Sequence, residues 1–318
     1  NALRSFLVFI AGCETAERGP DGTNLAGMTS RDLFKRFFSA SDVDLPQFVG
    51  HGMALFPDDG YLDRPASELV AAVLLYRDSI ARVGTSPFIY PVYGLSTLPE
   101  AFSRLCAVQG GVFMLRTDVK ELLYEDGKVA GVLAKPDFAD EPQAARASVV
   151  IGDANYLPDA KRGKPLGDVV RTICLTSAPP RGVSTASAQI IVPQAQVGRR
   201  HDIYMTVLSE KHHVCAKGKY VCIASTTSEG KPTVDAELEP ALALLDSGAV
   251  VAKFDSKAPL YAASAAVPED NVYCTGSYDA TTHFQSVMRD VGQVWGLLTG
   301  EKLEDFAVPE PEAAASAE

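Results

Sequence analysis

The histidines are the first residues to test for chemistry. His212 and His213 are adjacent, whereas two ligands on one strand or helix converge on a metal when they are two or four residues apart. Adjacent side chains diverge, so this pair indicates a solvated loop. His51 lies between Gly50 and Gly52 in an apolar stretch, and we interpret it as a packed core histidine and not as a general base.

Other candidate sites are equally sparse. Asp58 and Asp59 precede Gly60, a pattern typical of a turn. Residues 276–282 bring a glycine, an aspartate and two threonines to the start of a helix. This arrangement could form an anion site, but ordinary helix capping is the favoured interpretation. No G-x-S-x-G or G-x-G-x-x-G motif is present. The sequence therefore predicts no cofactor and no catalytic residue.

Composition narrows the function classes. The 318 residues suffice for two domains, and the net charge of −11 excludes the basic stripe that nucleic-acid binding needs. No apolar run reaches the length of a membrane span. The six cysteines form no C-x-x-C pair, which argues against zinc or thioredoxin-type chemistry and suits a reducing compartment.

Residues 1–86 are expected to form a small helical domain. Thr29 is placed to cap a helix, with Asp32 three residues later. A longer helix begins after Pro65 and should end at Gly84. The expected helices are Leu3–Cys13, Arg31–Phe38, Leu45–Leu55 and Ala66–Val83.

Residues 87–300 have the pattern of a mixed α/β domain, because short β-branched runs alternate with helices. Asp126-Gly127 predicts a two-residue hairpin. The expected strands are 112–116, 119–125, 129–135, 147–153, 169–177, 188–194, 202–209, 220–227 and 271–276, and the expected helices are 99–109, 237–245 and 282–299. Residues 301–318 are acidic and should form a disordered tail.

Four longer motifs carry a family resemblance. They read "SPFIYPVYGLSTLPEAFSRLCAVQGGVFML", "AQIIVPQAQVGRRHDIYMTVLS", "GKYVCIASTT" and "YDATTHF". Together they resemble the Rab GDP-dissociation inhibitors, which are related to Rab escort proteins and share a fold with flavin oxidases. The resemblance implies a flavoprotein-like (FAD-binding-like) mixed-sheet scaffold that carries a Rab-binding platform, with a smaller helical domain for a geranylgeranyl lipid. It further implies a binding protein and not an enzyme.

The resemblance assigns Rab contacts to individual positions. The matching residues are Arg82, Phe88, Tyr90, Tyr93, Arg104 and Met114. Three positions depart from the family pattern, and one of them is Phe113, which stands where the family has a tyrosine. Thr97 stands where the family has an acid, and Val112 stands where it has a threonine. Loss of an interface acid can weaken binding, so these departures bear on Rab affinity and Rab choice.

The helical domain offers candidates for a lipid cleft. They are Leu7, Ile10, Phe34, Phe37, Val49 and Val73. Two interpretations stay open, since these residues could line the cleft or form the core of the domain, and for most of them the second is favoured.

The leading hypothesis is a protein that binds prenylated, GDP-bound Rab, blocks GDP release and shields the lipid during membrane retrieval and vesicle traffic. It would be cytoplasmic and touch membranes transiently. One alternative is a related structural subunit of a larger assembly that has lost Rab binding, and a weaker one is a flavin-dependent oxidoreductase. Relatives begin with a strand–turn–helix segment that this sequence lacks. We therefore expect an open sheet edge near 149–153, which a partner could cover.

Overall fold

The computed structural model describes residues 1–39, 41–42, 44–83, 86–281 and 284–303. Its α-helices are α1 (Ala2–Ala11), α2 (Ser30–Lys35), α3 (Asp44–Gln47), α4 (Ala66–Val83), α5 (Thr97–Val108), α6 (Val234–Leu242) and α7 (Gln285–Thr299). Its strands are β1 (Thr117–Glu125), β2 (Lys128–Pro136), β3 (Gln143–Arg146), β4 (Val150–Asp153), β5 (Pro165–Thr176), β6 (Ser187–Val192), β7 (Ile203–Ser209), β8 (Tyr220–Thr227), β9 (Val250–Tyr261) and β10 (Val272–Thr275).

The chain divides into two compact units. The first consists of Asn1–Phe102, Val170–Lys257 and Ala280–Thr282. The second consists of Ser103–Val169, Ala258–Asp279 and His283–Glu318. The domain boundaries expected at residues 86 and 300 stay predictions.

The helices of the first unit enclose an aromatic core. Phe6 of α1 is fully buried, and its ring lies 5.6 Å from that of Phe34 and 5.5 Å from that of Phe37. Thr29 caps α2 as expected, because its side chain accepts a hydrogen bond from the Asp32 N–H. The Gly84 predicted to end α4 lies outside the described residues.

The helix expected over Leu45–Leu55 has a different form. α3 ends at Gln47, and Phe48–Met53 continues as a π-helix. The Tyr61 ring lies so close to Gly50 that a side chain there would overlap it, and the Tyr61 hydroxyl donates to the Pro46 carbonyl at 2.9 Å. A glycine lets the widened turn close on this ring, which apolar periodicity could not reveal.

Most of a five-stranded sheet, with the strand order β6-β7-β8-β5-β9, belongs to the first unit. β7 pairs antiparallel with both β6 and β8. Ile203 and Met205 of β7 are buried in one cluster with Leu238 and Ala241 of α6. The predicted mixed α/β class is therefore confirmed.

The second unit contains two smaller sheets. β1-β2-β3 is antiparallel, and β4 pairs in parallel with β10. The hairpin predicted at Asp126-Gly127 joins β1 to β2, with φ of 49° and 80° at its two central residues. Ile151 of β4 is 49% exposed, and among the described residues β4 pairs with β10 alone. That edge is open, and its proposed covering partner stays a prediction.

One expected strand is absent, two strands were not expected, and the predicted start of the last helix at residue 282 lies outside the described residues. Residues 112–115 form no strand, because apolar composition does not supply a pairing partner. β3 and β9 were not expected, since they are terminal strands of their sheets and carry mostly exposed residues without a regular alternation of apolar and polar side chains. α7 begins after Phe284, which makes no side-chain cap, and Asp290 within α7 instead accepts the Gly276 N–H at 3.1 Å.

Within the described part of the chain, none of the helices combines the length and apolar character that crossing a membrane requires.

Candidate functional site

A tight turn positions two of the tyrosines that the resemblance marks as Rab contacts. It lies between α4 and α5 in the first unit, where the Gly94 N–H donates to the Pro91 carbonyl at 3.2 Å. The Tyr93 N–H donates to the His212 carbonyl at 2.9 Å. This bond ties the turn to the short 3₁₀-helix Glu210–His212 that follows β7.

Both tyrosine rings contact histidine rings of that segment. Tyr90 meets His212 edge-on, with ring centroids 5.4 Å apart. Tyr93 stacks on His213 at 5.2 Å and an interplanar angle of 26°. Tyr93 is nonetheless 69% exposed, so one face of its ring remains available to a partner.

The other two expected Rab contacts of this unit are also exposed. Arg82 lies in the last turn of α4. The Phe88 ring lies 6.4 Å from that of Tyr76, which is also on α4, and the Phe88 side chain is 36% exposed. Phe88 is therefore partly supported by a helix and partly free for a partner.

Arg104 and Met114 belong to the second unit, and both are exposed. α5, which carries Arg104, has no buried residue among those described. Met114 is followed by Leu115, which is 81% exposed. Met114 is not part of a packed strand, because residues 112–115 form none.

Two of the departures from the family pattern, Thr97 and Val112, have distinct surroundings. Thr97 begins α5, and its hydroxyl donates to the Gly94 carbonyl at 2.8 Å. This bond closes the turn that carries Tyr90 and Tyr93, the tyrosine turn. Val112 is 84% exposed and makes an apolar surface where the family has a hydroxyl. Neither substitution leaves a buried charge without a partner.

The residues assigned to a lipid cleft are mostly core residues. Ile10, Phe34, Val49 and Val73 are buried, and Phe37 packs against the same cluster. Leu7 differs, with 37% of its surface exposed. Their role in lipid binding stays a prediction, and Leu7 is the member of the set that a lipid could reach without opening the core.

His51 has a more specific setting than its sequence suggested. Its Nδ1 lies 2.6 Å from Oδ2 of Asp202, and its Nε2 lies 3.0 Å from Oδ1 of Asp59. The His51 and Asp202 side chains are sealed from solvent. Burial alone would lower the pKa of His51, but the hydrogen bonds to the two carboxylates outweigh it and raise this pKa above its ordinary value.

This arrangement is structural in character. A carboxylate on each ring nitrogen favours the doubly protonated imidazolium. The second oxygen of Asp202 accepts the Gln194 N–H at 2.8 Å, so the carboxylate has little capacity left. Because no solvent reaches the His51 ring, the histidine joins the π-helix to the residue that immediately precedes β7.

A second buried ionic network was not anticipated. Nη2 of Arg199 lies 2.8 Å from Oε2 of Glu237 on α6, and both side chains are buried. Oε1 of Glu237 accepts the N–H groups of Glu229 and Lys231 at 2.7 and 2.9 Å. Burial raises the pKa of Glu237, but the Arg199 guanidinium and these N–H groups outweigh it and lower the pKa to about 2.

The described ranges contain no group of three or more histidine, cysteine, aspartate or glutamate side chains that could hold a metal ion. The six cysteines are all free thiols, and Cys106 is the exposed one. The candidate site is therefore the tyrosine turn, together with the rings of His212 and His213 that support it.

Comparison with known proteins decides the family. The family model described as "GDP dissociation inhibitor" matches residues 1–308. The chain belongs to the GDP dissociation inhibitor family. Within this family, Rab GDP dissociation inhibitor beta of Rattus norvegicus is 38% identical over 304 residues, and a Rab GDP-dissociation inhibitor of Pyricularia oryzae is 39% identical over 312 residues.

These matches cover 95% of this chain but 65% of each relative, so the chain spans just under two thirds of the length of the curated relatives. The crystal structure of a Rab GDI from Plasmodium falciparum superposes with a TM-score of 0.85 at 36% identity, covering 95% of this chain and 67% of that one. A flavin-dependent brominase reaches a TM-score of 0.39 at 14% identity, which carries no argument for flavin chemistry in this member of the family.

Proposed function

We propose that this chain binds a GDP-bound Rab GTPase and slows release of its nucleotide. The observation that carries the proposal is the family match over residues 1–308, which includes every position assigned to Rab contact. Five of these six residues are exposed and Tyr90 is half-buried, which supports the proposal because binding energy comes from side chains that a partner can desolvate. The chain then acts as a regulator and not as an enzyme.

Acidic character is compatible with this role. The net charge of −11 favours partners with basic surfaces. Charge complementarity contributes mainly to association rate and partner choice. Within this acidic chain, Arg82 and Arg104 are exposed cations, and they would pair with acidic groups on Rab.

Lipid capture is the second part of the proposal. Burying a twenty-carbon prenyl chain, at about 0.8 kcal/mol per CH₂, is worth on the order of 10 kcal/mol or more before other costs. The bilayer offers the prenyl chain this free energy of burial. A cytoplasmic protein that retrieves Rab from membranes, with transient membrane contact, must therefore provide a comparable free energy. The helical core around Phe6 and Phe34 is the apolar region assigned to it, with Leu7 at its surface.

Arg104→Ala tests the Rab contact. We expect it to weaken binding of Rab·GDP by about 1–3 kcal/mol. The melting temperature should hardly change, because an exposed side chain contributes little to folding. Titration calorimetry and thermal melting measure the two effects, and Arg146→Ala on β3, another exposed arginine, serves as the matched control. Intact binding together with a large loss of stability would assign Arg104 a structural role.

The lipid proposal predicts that geranylgeranylated Rab binds at least about tenfold more tightly than the same Rab without lipid. Leu7→Gln should narrow this ratio, because it adds a polar group to the exposed edge of the helical core. Arg4→Gln, an exposed site on the same helix, should leave the ratio unchanged. Equal affinities for lipidated and bare Rab would refute the lipid proposal.

A further inference from the structure

The stacked pair Tyr93 and His213 has an unusual backbone. Both residues are in the left-handed region, with φ of 73° and 55°. The described residues include only six non-glycine positions with positive φ, and two of them are in ring contact here. Such conformations are costly for residues with a β-carbon, and they persist where the surrounding structure or function maintains them.

Glycine would remove this cost at either position. The chain uses glycine at left-handed positions close by, at Gly94 and at Gly218. Tyrosine and histidine occupy these two positions although glycine would adopt the same backbone at lower cost. Their presence therefore indicates that the two side chains have a role there. An exposed tyrosine would otherwise sample several rotamers, and stacking on an imidazole restricts it before any partner binds.

We propose that His213 is a positioning residue that holds Tyr93 in the orientation that contacts Rab. This inference rests on the proposed function and extends it to a residue outside the set assigned to Rab contact. The ring of His213 supports one face of Tyr93, and the opposite face meets an apolar or aromatic side chain on the GTPase. The hydrogen bond from the Tyr93 N–H to the His212 carbonyl fixes the position of the turn relative to the segment that carries His213.

Two substitutions at this position separate positioning from folding. His213→Gly removes the ring and relieves the left-handed backbone, so the melting temperature should stay level or rise while affinity for Rab·GDP falls about three- to tenfold. His213→Phe keeps an aromatic face in a conformation that phenylalanine tolerates poorly. It should lower the melting temperature and keep affinity within about twofold of the unaltered chain.

Asp126→Gly is the matched control, because Asp126 is exposed and has a φ of 49° in the β1–β2 hairpin. It should relieve backbone strain without any change in affinity. Two results together would support positioning. His213→Gly should lose affinity for Rab·GDP without a fall in melting temperature, and His213→Phe should keep its affinity while its melting temperature falls.

Equal affinity of His213→Gly and the unaltered chain would overturn the inference and leave the proposed function intact. Failure of the unaltered chain itself to bind Rab·GDP would instead overturn the proposed function, and the inference with it. Binding is measured by titration calorimetry with one Rab loaded with GDP, and stability by thermal melting of the same preparations.

Discussion

Glu237→Ala is expected to lower the free energy of unfolding by about 3–5 kcal/mol. The substitution removes the nearer carboxylate of the buried Arg199 guanidinium and leaves that of Glu229, 3.6 Å away. It also removes the acceptor for the N–H groups of Glu229 and Lys231. The loss at Arg199 is costly because its side chain and that of Glu237 are buried, and the N–H groups lie in a part-buried region. Denaturant unfolding followed by circular dichroism measures the change.

Acid titration gives the same network a second readout. The folded pKa of Glu237 is lowered from 4.5 to about 2. The stabilisation is therefore complete above pH 4.5 and is lost as the pH falls from there towards 2. Two and a half pH units correspond to on the order of 3 kcal/mol. Glu237→Ala should remove this part of the pH dependence.

Glu239→Ala is the control for Glu237, because it is an exposed acid on the same helix. Its effect should stay within about 0.5 kcal/mol. A stability of Glu237→Ala equal to that of Glu239→Ala would show that the buried pair contributes no net stabilisation.

Asp202→Ala is the second substitution with a large expected effect, again about 3–5 kcal/mol of unfolding free energy. It leaves the buried His51 ring with the partly exposed Asp59 as its remaining carboxylate partner. It also removes the acceptor of the Gln194 N–H. Asp59→Asn should cost less, because Asp59 is partly exposed and water can replace it. Denaturant unfolding of both variants at one pH gives the comparison.

The pH dependence of this site has the opposite sign to that of Glu237. The pKa of His51 is raised in the folded state. Its stabilising contribution is complete below its ordinary pKa of about 6.5 and is lost as the pH rises through the higher folded value. The unaltered chain should therefore lose stability as the pH rises above about 6.5. Asp202→Ala should lack that slope, and an unchanged slope would contradict the assignment.

Local signals were sufficient for much of the fold. Thr29 with Asp32 predicted a helix start, and Asp126-Gly127 predicted a hairpin, because each depends on neighbouring residues alone. β7 was predicted because six of its seven residues are apolar or β-branched, a composition typical of strands. β9 was missed because an edge strand needs no such pattern.

Long-range pairs account for most of what the sequence could not predict. His51 and Asp202 are 151 positions apart, and no spacing rule links them. The tyrosine turn was identified through family resemblance, whereas its support by His213 depends on a loop that looked merely solvated. Residues 112–115 show the reverse error, since strand-like composition there has no pairing partner within the described residues.

The central claim is that this chain retains GDP on Rab, and nucleotide release tests it most directly. A geranylgeranylated Rab is loaded with fluorescent GDP, and release into excess unlabelled GDP is followed with and without the chain. We expect release to slow by at least about tenfold at saturation, which corresponds to 1.4 kcal/mol. Arg104→Ala should need a higher concentration for the same effect. An unchanged release rate at saturating concentrations of the unaltered chain would contradict the account.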